Sequence, residues 1–380
     1  MEMNVRRALN GFGQYLDDFM KKMISSRERV KTVLEGKVPD HIPSRLRTTP
    51  EALAALENYL GLKGDALLDR LGVDLTRVSF VYNGPKELYG GPFLGGAGKD
   101  IFGIEWRPVQ NKYCVYMEAQ NTPLAQARSV MEIERYAWPD PKWFNHAGLA
   151  DEIDKTGGNG KRAVMLSAGD WEIFYLLRGM EQFMLDMVEN PEIIDAIARH
   201  LAGFYGDRLR QALKVVGKKI DIVGFSGDIG SQTGLMFSPE MWRRFWKQPL
   251  VDLIKICRAS RLPVCYHSCG SIVPIIPDLI EIGVKILDPI QTRAQGMRPE
   301  ILKERFGDKL VFHGGVDEQE LLPNGSPADV AAEVCRLVKI LGRGGGYILS
   351  SSHSLQSDTP PENIVAMFDA VRTILFYETC

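Results

Sequence analysis

The stretch Pro263-Val264-Cys265-Tyr266-His267-Ser268-Cys269-Gly270 reads as a short apolar strand that ends in polar residues and a glycine. Continuous apolar runs of this length suit strands covered on both faces, the pattern of a parallel sheet flanked by helices. Alternate residues of a strand face the same side, so His267 and Cys269 can point into one cavity. An imidazole and a thiolate aimed at one point are two of the ligands that tetrahedral zinc takes. An isolated His-x-Cys pair at a strand end is more often structural, so its meaning depends on the other strand ends.

Those strand ends recur. Strand-like runs stand at Ala163–Leu166, Ile220–Phe225, Pro263–Tyr266, Val284–Leu287, Leu310–Phe312 and Tyr347–Leu349. Helices between them open on one signal: Asn190-Pro191-Glu192, Ser238-Pro239-Glu240, Ser326-Pro327-Ala328-Asp329 and Thr359-Pro360-Pro361-Glu362. Each places a capping residue before proline, with an acid in the first turn to suit the free amides and the helix dipole. A further segment, Ile42–Leu46, follows Asp40-His41 and brings the strand number towards eight. Strands alternating with capped helices in that number favour a closed (β/α)8 TIM barrel, an α/β fold, over an open sheet. Residues 25–380 then form a single barrel domain. Residues 1–24 are an N-terminal helical extension, amphipathic through Tyr15, Leu16, Phe19 and Met20, which packs on the barrel or on a second subunit of a homodimer. Residues 72 to about 140 are the least regular part. Gly90-Gly91-Pro92, Gly95-Gly96 and Gly98, followed by a strand-like Tyr113–Met117, read as a glycine-rich loop and hairpin insertion over one face. These glycines match no phosphate-loop or dinucleotide pattern.

Composition narrows the function. The chain has 380 residues, 45% of them hydrophobic, and a formal net charge of -2 with no basic run. Nucleic acid and anionic membrane are excluded as main partners on that balance. Apolar runs are too short for a membrane-spanning helix, so a soluble cytoplasmic protein is expected. The six cysteines are scattered, without the spacing of a small disulfide-stapled domain.

In a barrel of this kind the reacting groups stand at the C-terminal ends of the strands. Asp228 and Gln232 follow one strand, His267 and Cys269 the next, and Asp288 ends another. His313 and Asp317 follow the run Leu310–Phe312, and Ser350 to Ser352 with His353 follow the last. His353 is the candidate third metal ligand, with Asp228 and His313 as alternatives. Asp228 and His313 are candidate catalytic residues; a loop cap and a backbone-bonded histidine are the plainer readings. Asp228 also suits a partner that orients His267. Glu172, Gln232, Asp317 and Trp171 are candidate substrate-binding residues, although Glu172 equally begins a helix. Tyr82, Phe93, Trp171 and Tyr175 fit either a pocket for an aromatic ether or the core.

The motifs taken in order resemble the uroporphyrinogen decarboxylase superfamily. They are Pro139-Asp140-Pro141, Leu176-Leu177-Arg178-Gly179-Met180-Glu181, Asp228-Ile229-Gly230-Ser231-Gln232-Thr233-Gly234, His267-Ser268-Cys269-Gly270, His313-Gly314-Gly315-Val316-Asp317 and Thr359-Pro360-Pro361-Glu362-Asn363-Ile364. The resemblance runs from about residue 26 to 375 and implies a (β/α)8 barrel. Its decarboxylases carry an Arg-Gln-Ala-Gly-Arg segment and a Phe-Ser-Asp-Ile aspartate. The corresponding region here, Ile42-Pro43-Ser44-Arg45-Leu46-Arg47, has neither. The corrinoid-dependent methyltransferases and O-demethylase components carry a His-x-Cys zinc motif with a later cysteine. His267 and Cys269 match it, and at the late position stand Ser350-Ser351-Ser352-His353. The resemblance to this branch implies a zinc-dependent methyltransferase. Its small methyl donor or acceptor would be a methoxy compound, a thiol or a similar molecule. The corrinoid (cobalamin) would be supplied by a separate protein, since the chain has no Asp-x-His-x-x-Gly motif of its own. The competing expectations are a metal-free decarboxylase or lyase on a porphyrinogen-like carboxylate, and a binding barrel without chemistry.

Overall fold

The computed structural model describes residues 24–373 apart from positions 93 and 95. The amphipathic segment expected before Ile24, and Phe93, lie outside the described residues. Ten strands are present: β1 (Leu75–Val78), β2 (Gly98–Lys99), β3 (Glu105–Gln110), β4 (Val115–Ala119), β5 (Ala163–Asp170), β6 (Ile222–Ser226), β7 (Val264–His267), β8 (Val284–Ile290), β9 (Val311–Val316) and β10 (Tyr347–Ser351). Strands β1 and β5 to β10 form one seven-stranded parallel sheet in chain order. The extended stretch around Ser44 joins its two edges. Ser44 pairs in parallel with Leu349, the Arg45 amide donates to the Leu349 carbonyl, and the Ser44 carbonyl accepts from the Asp74 and Leu75 amides. The sheet therefore closes into a TIM-type barrel, with Ile42–Leu46 at the eighth position as a bridge rather than a full strand.

One expectation is corrected. Residues 72–140 are not all insertion, because Leu75–Val78 is a barrel strand. Its alternation carries Arg77 on the inward face, and a charged residue there interrupts the apolar run by which a covered strand is recognised. The remainder of the region forms a three-stranded antiparallel sheet, β2-β3-β4. It lies against the loop after β10: the Tyr116 hydroxyl donates to Gln356 Oε1 at 2.8 Å, and Ser357 donates to the Tyr113 carbonyl.

Two of the four proline-linked capping signals are realised, at Ser238 and Ser326. Ser25 with Glu28 and Ser326 with Asp329 form capping boxes, and Ser238 caps its helix. Asn190 instead donates to Asp186 Oδ1, and the buried Thr359 hydroxyl has no hydrogen-bond partner among the described residues. Among the described residues no helix is long and apolar enough to cross a membrane.

Two-residue periodicity then positions the site. Leu75, Ala163, Met165, Ile222, Cys265, Ile286, Val311 and Ile348 point inward and pack with Val30 and Val33 of the helix Ser26–Leu34, which plugs the barrel floor. Outward residues such as Val164, Leu166, Val223, Leu287, Phe312 and Leu349 join the layer under the outer helices. Two residues beyond the floor, the same inward parity presents Arg77, Ser167, Gly224, His267, Asp288, His313 and Ser350. An apolar plug below and a polar mouth above follow directly.

The helix Ile173–Arg178 starts at this mouth and ends in a buried ion pair. Arg178, 1% exposed, donates through Nε to Asp186, 0% exposed, at 2.5 Å. Asp186→Ala strands a buried guanidinium and is expected to cost about 3–5 kcal/mol in urea unfolding, with Asp186→Asn costing less.

Candidate metal centre

Strand β7 delivers His267 to the mouth, and the next turn brings Cys269 beside it. Cys269 Sγ lies 3.6 Å from His267 Nε2. One donor atom each from His267, Cys269 and His353 fall within 4.8 Å of one another. Tetrahedral zinc with bonds of about 2.0–2.3 Å sets its ligand atoms about 3.3–3.8 Å apart. The donor set fits zinc, and the 3.6 Å between Cys269 Sγ and His267 Nε2 lies in that range.

Asp288, 5% exposed, decides which nitrogen of His267 faces Cys269. His267 Nδ1 lies 2.6 Å from Asp288 Oδ2, and His313 Nδ1 lies 2.7 Å from Asp288 Oδ1. A carboxylate accepts, so Nδ1 of His267 carries the proton and Nε2 turns its lone pair toward the thiol. Burial alone would raise the Asp288 carboxyl, yet the two imidazoles hold it well below the usual carboxylate range. Burial and the nearby Arg47 pull His353 down to about 4, so its ring stays neutral and able to ligate. Burial, with Asp228 adding, pushes the Cys269 thiol up, so it ionises only when a cation takes the proton's place.

Two glycines let the ligand loop sit where it does. Gly270 has φ +80°, and a Cβ there would meet the Gly230 carbonyl carbon at 2.5 Å. A Cβ on Gly230 would meet the Cys269 oxygen at 2.5 Å. The loops after β6 and β7 thus touch backbone to backbone. Asp228 locks this contact by accepting from the Cys269 amide at 2.8 Å, with Oδ1 3.7 Å from His267 Nε2.

The mouth is electrically divided. On one side Arg45, Arg47 and Arg77 act on the Asp288 charge. Arg47 Nη2 stands 3.5 Å from His353 Nε2 and Nη1 stands 3.9 Å from Asp288 Oδ2. Burial lowers Arg45 to about 10, and no carboxylate hydrogen-bonds it among the described residues. His313 Nε2 and Ser350 Oγ are buried in the same lumen without hydrogen-bond partners among the described residues. On the other side stand Asp170, Glu172, Asp228 and Tyr175. Strand register sets Asp170, Ser226, His267 and Asp288 in a row across β5 to β8.

The sequence candidates separate accordingly. His267, Cys269 and His353 converge, and Asp228, His313 and Glu172 stand at the same mouth. Gln232 and Asp317 line a small neighbouring cleft with Gln291, Arg293, Glu318 and Ser352. The Asp317 carboxylate there accepts the Gln319 and Leu321 amides. Trp171 is a correction: it is 1% exposed and packs on Phe174 and Tyr205 in the core, because the strand turns outward after Asp170. Tyr82 packs against Tyr89 and Phe144. The sequence reading missed the arginine wall and the shared role of Asp288. Inward parity from the floor residues Leu75 and Ile286 finds Arg77 and Asp288.

The comparisons with known proteins agree with this frame. The family described as uroporphyrinogen decarboxylase (URO-D) matches residues 122–374. A uroporphyrinogen decarboxylase of Pseudomonas paraeruginosa is 23% identical over 254 residues, covering 65% of this chain and 69% of that one. One from Pseudomonas aeruginosa is 24% identical over 190 residues, and the chain spans 50% of its length. Among solved structures, a methyltransferase from Methanosarcina mazei superposes with a TM-score of 0.67 at 15% identity, covering 93% of this chain and 100% of that one. Replacement of the shared carboxylate, Asp288→Asn, is expected to weaken zinc binding about 10–100-fold. Competition with a chromophoric chelator measures it. Gly270→Ala should lower zinc occupancy as well, through strain at its positive φ and the clash of its Cβ with the Gly230 backbone.

Proposed function

The chain belongs to the uroporphyrinogen decarboxylase family, and from that premise we propose that it is a zinc-dependent methyltransferase. It moves a methyl group between a small methyl donor or acceptor and a corrinoid carried by a separate protein. The convergence of His267, Cys269 and His353, with the His267 tautomer held by Asp288, carries this reading. A metal-free decarboxylase has no use for a thiol and two imidazoles collected at one point. When bound, zinc supplies a Lewis acid that polarises an ether oxygen or lowers a thiol pKa.

The chain's own groups do the remaining work. Asp288 orients His267, and Asp228 pins the Cys269 turn. Arg45, Arg47 and Arg77 put unbalanced positive charge in the lumen, which calls for a substrate with an anionic group. The His313 and Ser350 side chains, unpartnered and buried, offer further hydrogen bonds to it. The partner carrying the corrinoid would dock over the open rim.

The arginine wall also favours a second reading, decarboxylation of a porphyrinogen-like carboxylate. The Ile42–Arg47 segment, although unlike the decarboxylase motif, does deliver Arg45 and Arg47 to the lumen. Protein purified without chelator should contain about one zinc per chain, and Cys269→Ala should lose it together with methyl transfer. Metal-free protein with full activity, or turnover of uroporphyrinogen by Cys269→Ala, moves the assignment to the decarboxylase.

A further inference from the structure

Arg45 is the most enclosed cation of the lumen. It is 4% exposed, and its guanidinium has no hydrogen bond or ion pair among the described residues. Arg77 comes from the adjoining strand β1. It faces inward yet is exposed, so the lumen beside it is open to solvent, and Gly224 puts no side chain into the same layer. Its Nε donates to the Ser167 hydroxyl on β5, which leaves both Nη groups without a hydrogen-bond partner among the described residues. The acid that acts on both arginines, Asp288, is already bonded to His267 and His313. Two guanidinium groups therefore share one enclosed space, and neither has a carboxylate bonded to it.

One extended stretch sets the height of this pair against the triad. Ser44 pairs with Leu349 and Thr48 with Leu355, so Arg45 and Arg47 lie on one face, two residues or about 7 Å apart. Arg47 Nη2 reaches His353 Nε2 at 3.5 Å. Arg45 thus stands one layer deeper than the triad, between it and the apolar floor.

We propose that Arg45 and Arg77 form a subsite for the carboxylate of a small substrate acid, whose methyl-bearing oxygen or sulfur lies at its far end under the His267–Cys269–His353 triad. The proposal rests on the methyl-transfer reading and adds the substrate class. A guanidinium fork matches the two oxygens of a carboxylate, and enclosure strengthens the pairing. Arg77 lies outside every motif that the chain shares with its family, so this specificity is the chain's own. Burial first, then neighbouring arginines, lowers the pKa of both groups. Like charges held together in this way cost stability until a counter-charge joins them. With the acid end held one layer down, the reacting end must stand about 7 Å above it. An acid with both groups on adjacent atoms cannot span that interval.

The test follows binding to zinc-loaded full-length chain by calorimetry, without turnover. 4-Methoxybenzoate should bind, whereas its neutral isostere 4-methoxybenzamide and the short-span isomer 2-methoxybenzoate should bind at least about 10-fold more weakly. Arg45→Met and Arg77→Met should each weaken 4-methoxybenzoate about 10–150-fold, with zinc content unchanged. Arg77→Lys keeps the charge without the fork and should fall between. Ligand-free Arg45→Met should melt no lower than wild type, because it loses an uncompensated buried charge; an arginine that only supports the fold would give a lower value. Equal affinity for acid and amide, or unchanged affinity in both methionine variants, overturns the subsite and leaves methyl transfer standing. Binding of the acid as expected, with no methyl passed from any ether or thioether to reduced cobalamin, overturns the methyl-transfer reading and this substrate class with it.

Discussion

One buried carboxylate organises this mouth. Asp288 binds two imidazoles at once, His267 at 2.6 Å and His313 at 2.7 Å, and in doing so fixes both tautomers. A neutral imidazole has one donor and one acceptor nitrogen. With Nδ1 of each ring committed to Asp288, each Nε2 becomes an acceptor, one toward Cys269 and one into the lumen. The carboxylate itself is sheltered by strands on both sides and held ionised by the groups it orients. Remove it and the thiol and the imidazole remain nearby but lose their common aim.

The charges around that carboxylate give the mouth its polarity. Arginines 45, 47 and 77 stand toward one edge, and Asp170, Glu172 and Asp228 toward the other, with His267, Cys269 and His353 between. In a site of low dielectric neither wall is neutral in its effect. Burial, with Arg47 adding, lowers the His353 ring on the basic side, while burial, with Asp170 adding, raises the Glu172 carboxyl on the acidic side. The apolar plug of Val30, Val33 and the floor residues keeps water from entering below, so these fields act mainly at the open rim.

Much of this was legible in the linear chain. The barrel followed from apolar strands alternating with capped helices, and His267, Cys269 and His353 followed from their positions after strand runs. The strand around Arg77 was missed and Trp171 was misplaced, for opposite reasons. Arg77 hid a strand because a charged inward residue looks like loop, whereas Trp171 looked like rim but turns into the aromatic layer with Phe174 and Tyr205. Arg45 and Arg47 were judged by their motif rather than their direction, so their approach to the lumen passed unnoticed. Asp288 was seen as a strand-end residue with no partner to give it a role.

Local chemistry along the chain determined the elements, because periodicity, caps and turn residues act within a few positions of one another. It also determined which side chains could ligate a metal. Only closure of the barrel decided which of them meet. Residues 45, 172, 228, 267, 288, 313 and 353 come from seven different places around the ring, and their distances depend on strand register and on the Gly230–Gly270 backbone contact. No local pattern encodes a separation between residues that far apart in the chain, so the site's geometry belongs to the tertiary structure.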